Sequence, residues 1–164
     1  MEAELADRLQ RMPIFGAIRE DTLQFLLDRA CRIEVDAGSW FFREGDPAES
    51  MFVLESGRVQ VLRRAPGRDI VLCEFASGDC FGEMALMDLH PRSASVRAVE
   101  RCRAIEFGTA ALHELYHRDA AQFALVQMNI GREVCRRLRA TDDLLFRALT
   151  GERNAIGEPW FRDG

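Results

Sequence analysis

The residues with the clearest chemical potential lie in Phe81-Gly82-Glu83-Met84-Ala85-Leu86-Met87-Asp88-Leu89-His90-Pro91-Arg92-Ser93-Ala94. A glycine ahead of a short helical turn lets backbone N–H groups approach an anion, and the turn's dipole adds partial positive charge there. Arg92 follows a proline that stiffens its approach, and its guanidinium can face two phosphate oxygens at once. Glu83 supplies the complementary acceptor for a sugar hydroxyl. An arginine after proline also serves as a surface ion pair, and Gly-Glu as a plain turn, so these residue types alone leave both readings open. His90 in the same loop is either a proton switch near a phosphate or an ordinary exposed histidine.

Two further groups carry chemical possibilities. His113-Glu114-Leu115-Tyr116-His117 is an HExxH sequence, which on a helix sets two imidazoles on one face for zinc with the glutamate as general base. No histidine follows His117, so a third ligand would have to be a distant carboxylate such as Glu133. Thr141-Asp142 interrupts an apolar helical stripe and needs hydrogen-bond partners: the amine of a purine base or a polar contact that sets the register of a homodimer. Arg132, Arg136, Arg137 and Arg139, interleaved with acids, read as a solvated face.

The elements that would position these groups follow from period. Residues 2–12 and 20–30 carry apolar positions at helical spacing, with Asp21 and Thr22 as cap residues at the second start. From 31 to 107 the chain changes to short alternating or β-rich segments punctuated by glycine. Seven or eight strands at about ten-residue spacing predict an antiparallel sandwich or barrel. Beyond Phe107 the pattern predicts a short helix over 109–117 and a long one over 119–149, about 45 Å at 1.5 Å per residue. Positions 128, 131, 135, 138, 142, 145 and 149 step by three and four, widened by Ile130, Val134, Thr141, Leu144 and Ala148. Part of that face needs a partner, most simply a second copy.

Composition narrows the function classes. The 164 residues carry 22 Lys plus Arg against 27 Asp plus Glu, a net charge of −5, so the chain does not hold nucleic acid or anionic lipid by bulk attraction. An anion has to be caught locally. No apolar run approaches the roughly 20 residues that cross a bilayer, and the acidic start is unlike a signal peptide, so a cytoplasmic location is expected. Cys31, Cys73, Cys80, Cys102 and Cys135 are an odd set with no CxxC, read as reduced core thiols.

The 81–94 cassette resembles, ungapped, the phosphate-binding cassette of cyclic-nucleotide-binding domains, with FGE, AL, PR and SA in register. Upstream, AGSWFFREGDPAESMFVLESGRVQV is similar to the family's first strands, and Arg136–Thr141 resembles the long helix of catabolite-activator-type regulators. The resemblance covers about residues 12–149. It implies an eight-stranded antiparallel jelly-roll barrel flanked by N-terminal helices and a long C-terminal helix. The domain would span 1–149 (helices 2–30, β-roll 31–107, hinge and long helices 109–149), with 150–164 as a tail. The implied ligand is cyclic AMP or cyclic GMP, with no cofactor and no metal. Gly82, Glu83, Met84 and Ala85 would line the phosphate and ribose pocket, with Glu83 accepting from the ribose 2′-hydroxyl. Arg92 would pair with the cyclic phosphate, Ser93 would contact phosphate or base, and Thr141 would contact the base. The chain departs from the family's pattern at Leu89, where a glycine is common, and at Asp142, where a serine is found.

These expectations add up to a sensor without enzymatic activity, a homodimer through 120–149, that couples ligand to movement of the C-terminal helix and passes output to an effector protein. Only 150–164 follow the long helix, so no direct DNA binding is expected; without a long apolar run, no membrane attachment is expected either. The rival readings are a non-binding jelly roll used for dimerisation or docking, and a zinc enzyme using HELYH.

Overall fold

The computed structural model describes residues 7–150. Residues 7–10 are helical, and a single 3-10 turn, Pro13–Phe15, begins with a proline whose fixed φ suits a first helical position. Helix α1, Glu20–Leu27, carries Glu20 and Asp21 in its first turn, where acidic charge complements the helix dipole. Asp21 and Thr22 are therefore inside the helix; the cap position is Arg19, whose side chain pairs with Asp21 and Asp119 instead.

Eight strands follow: β1 Cys31–Val35, β2 Trp40–Phe42, β3 Ser50–Ser56, β4 Arg58–Ala65, β5 Arg68–Ala76, β6 Cys80–Phe81, β7 Ser95–Ala98 and β8 Cys102–Gly108. Helix α2, Met84–Asp88, lies between β6 and β7; α3, Thr109–Arg118, and α4, Ala120–Thr150, complete the described chain. The strands form two antiparallel four-stranded sheets, ordered β1-β8-β3-β6 and β2-β7-β4-β5. The expected closed barrel is thus corrected to an open sandwich: among the described residues no ladder joins β6 to β5 or β1 to β2. One reason is visible at β6, which is only two residues long and whose Cys80 carbonyl accepts from Arg137 of α4 rather than from a neighbouring strand.

Side-chain alternation divides the core into two layers. Met51, Val53, Ile105 and Phe107 face the helices and pack with Leu23, Leu26, Leu115 and Ile130. Phe52, Leu54, Val59, Phe75, Phe81, Val96 and Ala104 lie between the sheets. The continuous apolar run Met51–Leu54 is the mark of a strand covered on both faces. Gly57, at φ +97°, turns β3 into β4 where a Cβ would stand 2.7 Å from Cys102 Sγ, so only glycine fits without a shift.

The apolar stripe of α4 splits in two. Val126 and Ile130 are buried against the domain, with Val134 packed beside them, and Asn129 donates to the Gly16 carbonyl at 2.8 Å. Met128, Leu138, Leu145 and Leu149 are exposed, joined by Phe146. The cysteines split likewise: Cys80 and Cys102 are buried, but Cys31 and Cys135 are exposed and do not belong to the core. No helix of the described residues is long and apolar enough to cross a membrane.

Leu115, 0% exposed, fastens α3 into the helical side of the core. Leu115→Ala should lower unfolding free energy by about 2–5 kcal/mol, the range for a large-to-small core substitution, read from the urea midpoint at unchanged slope.

Candidate ligand site between the sheets

Arg92 is 7% exposed, an unusual position for a guanidinium, and its backbone explains how it is held there. Its N–H donates to the Asp46 carbonyl at 2.9 Å and its carbonyl accepts from Gly45 N–H at 2.8 Å, so the segment after Pro91 is pinned to the 45–46 turn. The side chain then runs inward. Nη1 donates to the Gly82 carbonyl at 3.1 Å, Nη2 to the Ser50 hydroxyl at 3.3 Å, and Cζ lies 4.0 Å from the centre of the Phe42 ring. Nε is buried with no hydrogen-bond partner, and no carboxylate lies within ion-pair distance among the described residues. Burial pushes this guanidinium down from the usual arginine range, opposed by the charges of Glu106, Asp46 and Glu83.

Gly82, at φ +78°, makes the close approach possible: a Cβ there would meet Arg92 Nη1 at 2.6 Å. The chain passes from Gly82 through Glu83 into α2, which ends on Leu89 at φ +57°. The glycine-like conformation expected at this position is therefore kept by a leucine, 78% exposed, at a cost of about 1–2 kcal/mol in backbone strain. His90 is exposed, and its N–H donates to Asp88 Oδ1 at 3.0 Å.

Glu83 is buried, and its partner is the residue that sequence reasoning missed. Arg137 Nη1 donates to Glu83 Oε1 at 2.8 Å, its Nε donates to Glu133 Oε1 at 2.8 Å, and its Nη2 reaches the Cys80 carbonyl at 2.5 Å. The expected solvated arginine face is corrected here: Arg137 is largely buried, with Cζ 4.5 Å from the Phe75 ring centre. A signal was present, because Glu133, Arg137 and Thr141 are spaced i, i+4, i+8 and so share one helix face. Burial works against the charge of Arg137, yet Glu83 and Glu133 hold it above the usual arginine range. Burial also opposes ionisation of Glu133, but Arg136 and Arg137 bring it below the ordinary glutamate value.

Gly82, Glu83, Met84, Arg92, Ser93 and Thr141 line one cavity of about 420 Å³, within the usual span for small-molecule sites. Ala85 belongs to the first turn of α2. The walls are apolar, from Phe42, Val61, Phe75, Phe81 and Val96. Thr141 donates to the Arg137 carbonyl one turn back at 2.9 Å, which leaves its oxygen as an acceptor. Cys73 also lines the cavity, and burial pushes its thiol up to about 11, so it is a protonated wall atom at neutral pH. Asp142 is exposed and does not line the cavity.

The zinc reading does not assemble. His113 and His117 bring Nε2 atoms within 3.2 Å, but Glu114 pairs with Arg29 at 2.7 Å and Glu133 is committed to Arg136 and Arg137. Among the described residues no group of three or more His, Cys, Asp or Glu is placed to hold a metal.

Comparison with known proteins agrees with this geometry. The model of the cyclic nucleotide-binding domain family matches residues 32–119, more than half of the chain. The chain is 29% identical over 148 residues to the CRP-like cAMP-activated global transcriptional regulator of Mycobacterium tuberculosis, covering 87% of this chain and 64% of that one. It therefore spans a little under two thirds of that relative's length. The N-terminal domain of a transcriptional regulator from Streptomyces coelicolor A3(2) superposes with a TM-score of 0.68 at 28% identity, covering 85% of this chain and 95% of that one. The catabolite activator protein of Thermus thermophilus superposes with a TM-score of 0.71 at 29% identity, covering 84% and 63% respectively. All three carry the names of regulators, not of enzymes.

A carboxylate whose folded value is lowered stabilises the protein above its unfolded value and loses that contribution as pH falls through the folded one. For Glu133 the contribution is complete above its ordinary value of 4.5 and is lost at more acid pH. Arg137→Met should cost about 3–5 kcal/mol at neutral pH by stranding buried carboxylates. It should also flatten the loss of stability as pH falls below the ordinary glutamate value of 4.5. Urea midpoints of both proteins at three pH values test this.

Proposed function

The chain belongs to the cyclic nucleotide-binding domain family, and on that basis we propose that it binds a cyclic mononucleotide in the cavity between its sheets and acts as a regulatory module, not an enzyme. The observation that carries this reading is Arg92: among the described residues, a buried guanidinium with no ion-paired carboxylate and an unpartnered Nε, at a cavity of about 420 Å³. Burying such a charge unpaired is unfavourable by several kcal/mol, and a cyclic phosphodiester carries the charge that would offset it. In this arrangement Arg92 and the Gly82 turn hold the phosphate, with Met84 and Ala85 beside it. Glu83 keeps one oxygen for Arg137 and offers the other to the ribose 2′-hydroxyl. Ser93 and Thr141 border the phosphate and base; Thr141, whose proton goes to the Arg137 carbonyl, offers an acceptor, and both purines carry an exocyclic amine or ring N–H to meet it, so adenine and guanine are alike compatible.

Coupling to α4 follows from the same contacts. Glu83 belongs to the cassette and Arg137 to the helix, so a ligand that shifts Glu83 pulls on α4 directly. The ligand biases the helix only by the difference in its affinity for the two arrangements. The exposed face of Met128, Leu138, Leu145 and Leu149 is the surface through which a second copy would pair, leaving an effector to read the result. Leu145→Arg should shift such a dimer to monomer in sedimentation at micromolar concentration, with nucleotide binding retained; an unchanged mass would place the dimer seam elsewhere.

Calorimetric titration with cyclic AMP and cyclic GMP tests the ligand. Wild type should bind at least one, and Arg92→Ala should weaken it about 10- to 150-fold, the loss of hydrogen bonds to a charged group. An unchanged dissociation constant in Arg92→Ala would refute its assigned role. Glu83→Gln should weaken binding less and narrow the gap between nucleotide and its 2′-deoxy analogue.

A further inference from the structure

Behind Arg92 lies a second charge that the motif does not contain. Alternation along β8 sends Ile105 and Phe107 to the helical layer and Cys102 and Ala104 to the layer between the sheets. Glu106 falls on the latter face, opposite Phe52 in register, where every other core position of β8 is apolar or small. An acid at such a position is unfavourable unless it is hydrogen-bonded. Among the described residues its carboxylate has one hydrogen-bond partner, Ser50: the Ser50 hydroxyl donates to Glu106 Oε1 at 2.6 Å, a short charge-assisted contact. With its proton so directed, the same oxygen accepts from Arg92 Nη2 at 3.3 Å. Ser50 is itself buried, and it begins β3, so the chain Arg92–Ser50–Glu106 ties the cassette arginine to the two central strands of one sheet.

We infer that Ser50 and Glu106 are positioning residues for Arg92: Glu106 polarises the Ser50 hydroxyl, and that hydroxyl holds one arm of the guanidinium so that Nε stays directed to an anion. This inference rests on the nucleotide-binding reading and adds to it the device that presets its cation. Glu106 does not ion-pair with Arg92; its negative charge reaches the guanidinium through one intervening oxygen. The arrangement tempers the burial of the cation while keeping its ion-pairing edge free of a competing carboxylate. Gly82 closes the other side, since its carbonyl takes Nη1. Two of the three guanidinium nitrogens are thereby fixed by the protein and the third is left over.

The test has two arms. In the first, the nucleotide that wild type binds more tightly is titrated into Ser50→Ala, Ser50→Thr, Glu106→Gln, Arg92→Lys and the double variant Ser50→Ala/Arg92→Lys. Ser50→Ala and Glu106→Gln should weaken binding about 3- to 10-fold, the range of one net hydrogen bond, and Ser50→Thr, which keeps the hydroxyl, should restore it to within about twofold. Because lysine lacks the fork that Ser50 orients, Ser50→Ala should cost nothing more in the Arg92→Lys background; a fully additive double variant would mean a merely structural effect and overturn the inference. The second arm needs no nucleotide. Guanidinium NMR signals of Arg92 should show faster rotation about Nε–Cζ in Ser50→Ala than in wild type. Equal rotation overturns the positioning role whatever the ligand. Failure of wild type to bind either nucleotide, with the rotation difference intact, defeats the nucleotide reading and leaves the latch standing.

Discussion

A guanidinium that leaves water must be compensated, and this protein buries two of them at one cavity and compensates them in opposite ways. Arg137 is given full partners: Glu83, Glu133 and the Cys80 carbonyl surround it, and its charge is held firmly. Arg92 receives a carbonyl, a hydroxyl and an aromatic face, with carboxylates only at a distance. The first arrangement suits a structural tie between cassette and helix, and the second a cation that retains attraction for an incoming anion. Both depend on the shared low-polarity wall of Phe42, Phe75 and Phe81, which strengthens every charge interaction beside it.

The fold serves that pairing of arginines. Two short sheets enclose the aromatic layer, and the helices cover only one of them, so one end of the sandwich is free to hold α2 and the loop to Arg92. The Gly82 turn brings its carbonyl to Arg92, while the next residue turns its carboxylate to α4. Adjacent residues in the chain thus connect to the two cations, and the cassette cannot shift without disturbing both.

Much of this was legible in the chain. Period-2 alternation and glycine spacing identified most strands, and Gly82, Glu83, Met84, Arg92, Ser93 and Thr141, singled out in the chain, line one cavity. Strand β6 escaped because two residues, Cys80 and Phe81, carry no period. Closure of the sheets could not be read because it depends on which main-chain groups meet, and at Cys80 a side chain of α4 takes that role. Arg137 was hidden among three other arginines; only the i, i+4 spacing to Glu133 and Thr141 distinguishes it, and that spacing is equally good for a solvated face. Ser50 and Glu106 are 56 positions apart and meet only through the β3–β8 register.

The open seam between β5 and β6 has its own mechanical meaning. No main-chain ladder crosses it among the described residues; side chains bridge it instead, among them Phe75 stacked on Phe81 and Arg137 reaching to Cys80. Opening there would spare every rung of both sheets, so its resistance would be set by buried aromatic and ion-paired side chains and not by the main-chain framework.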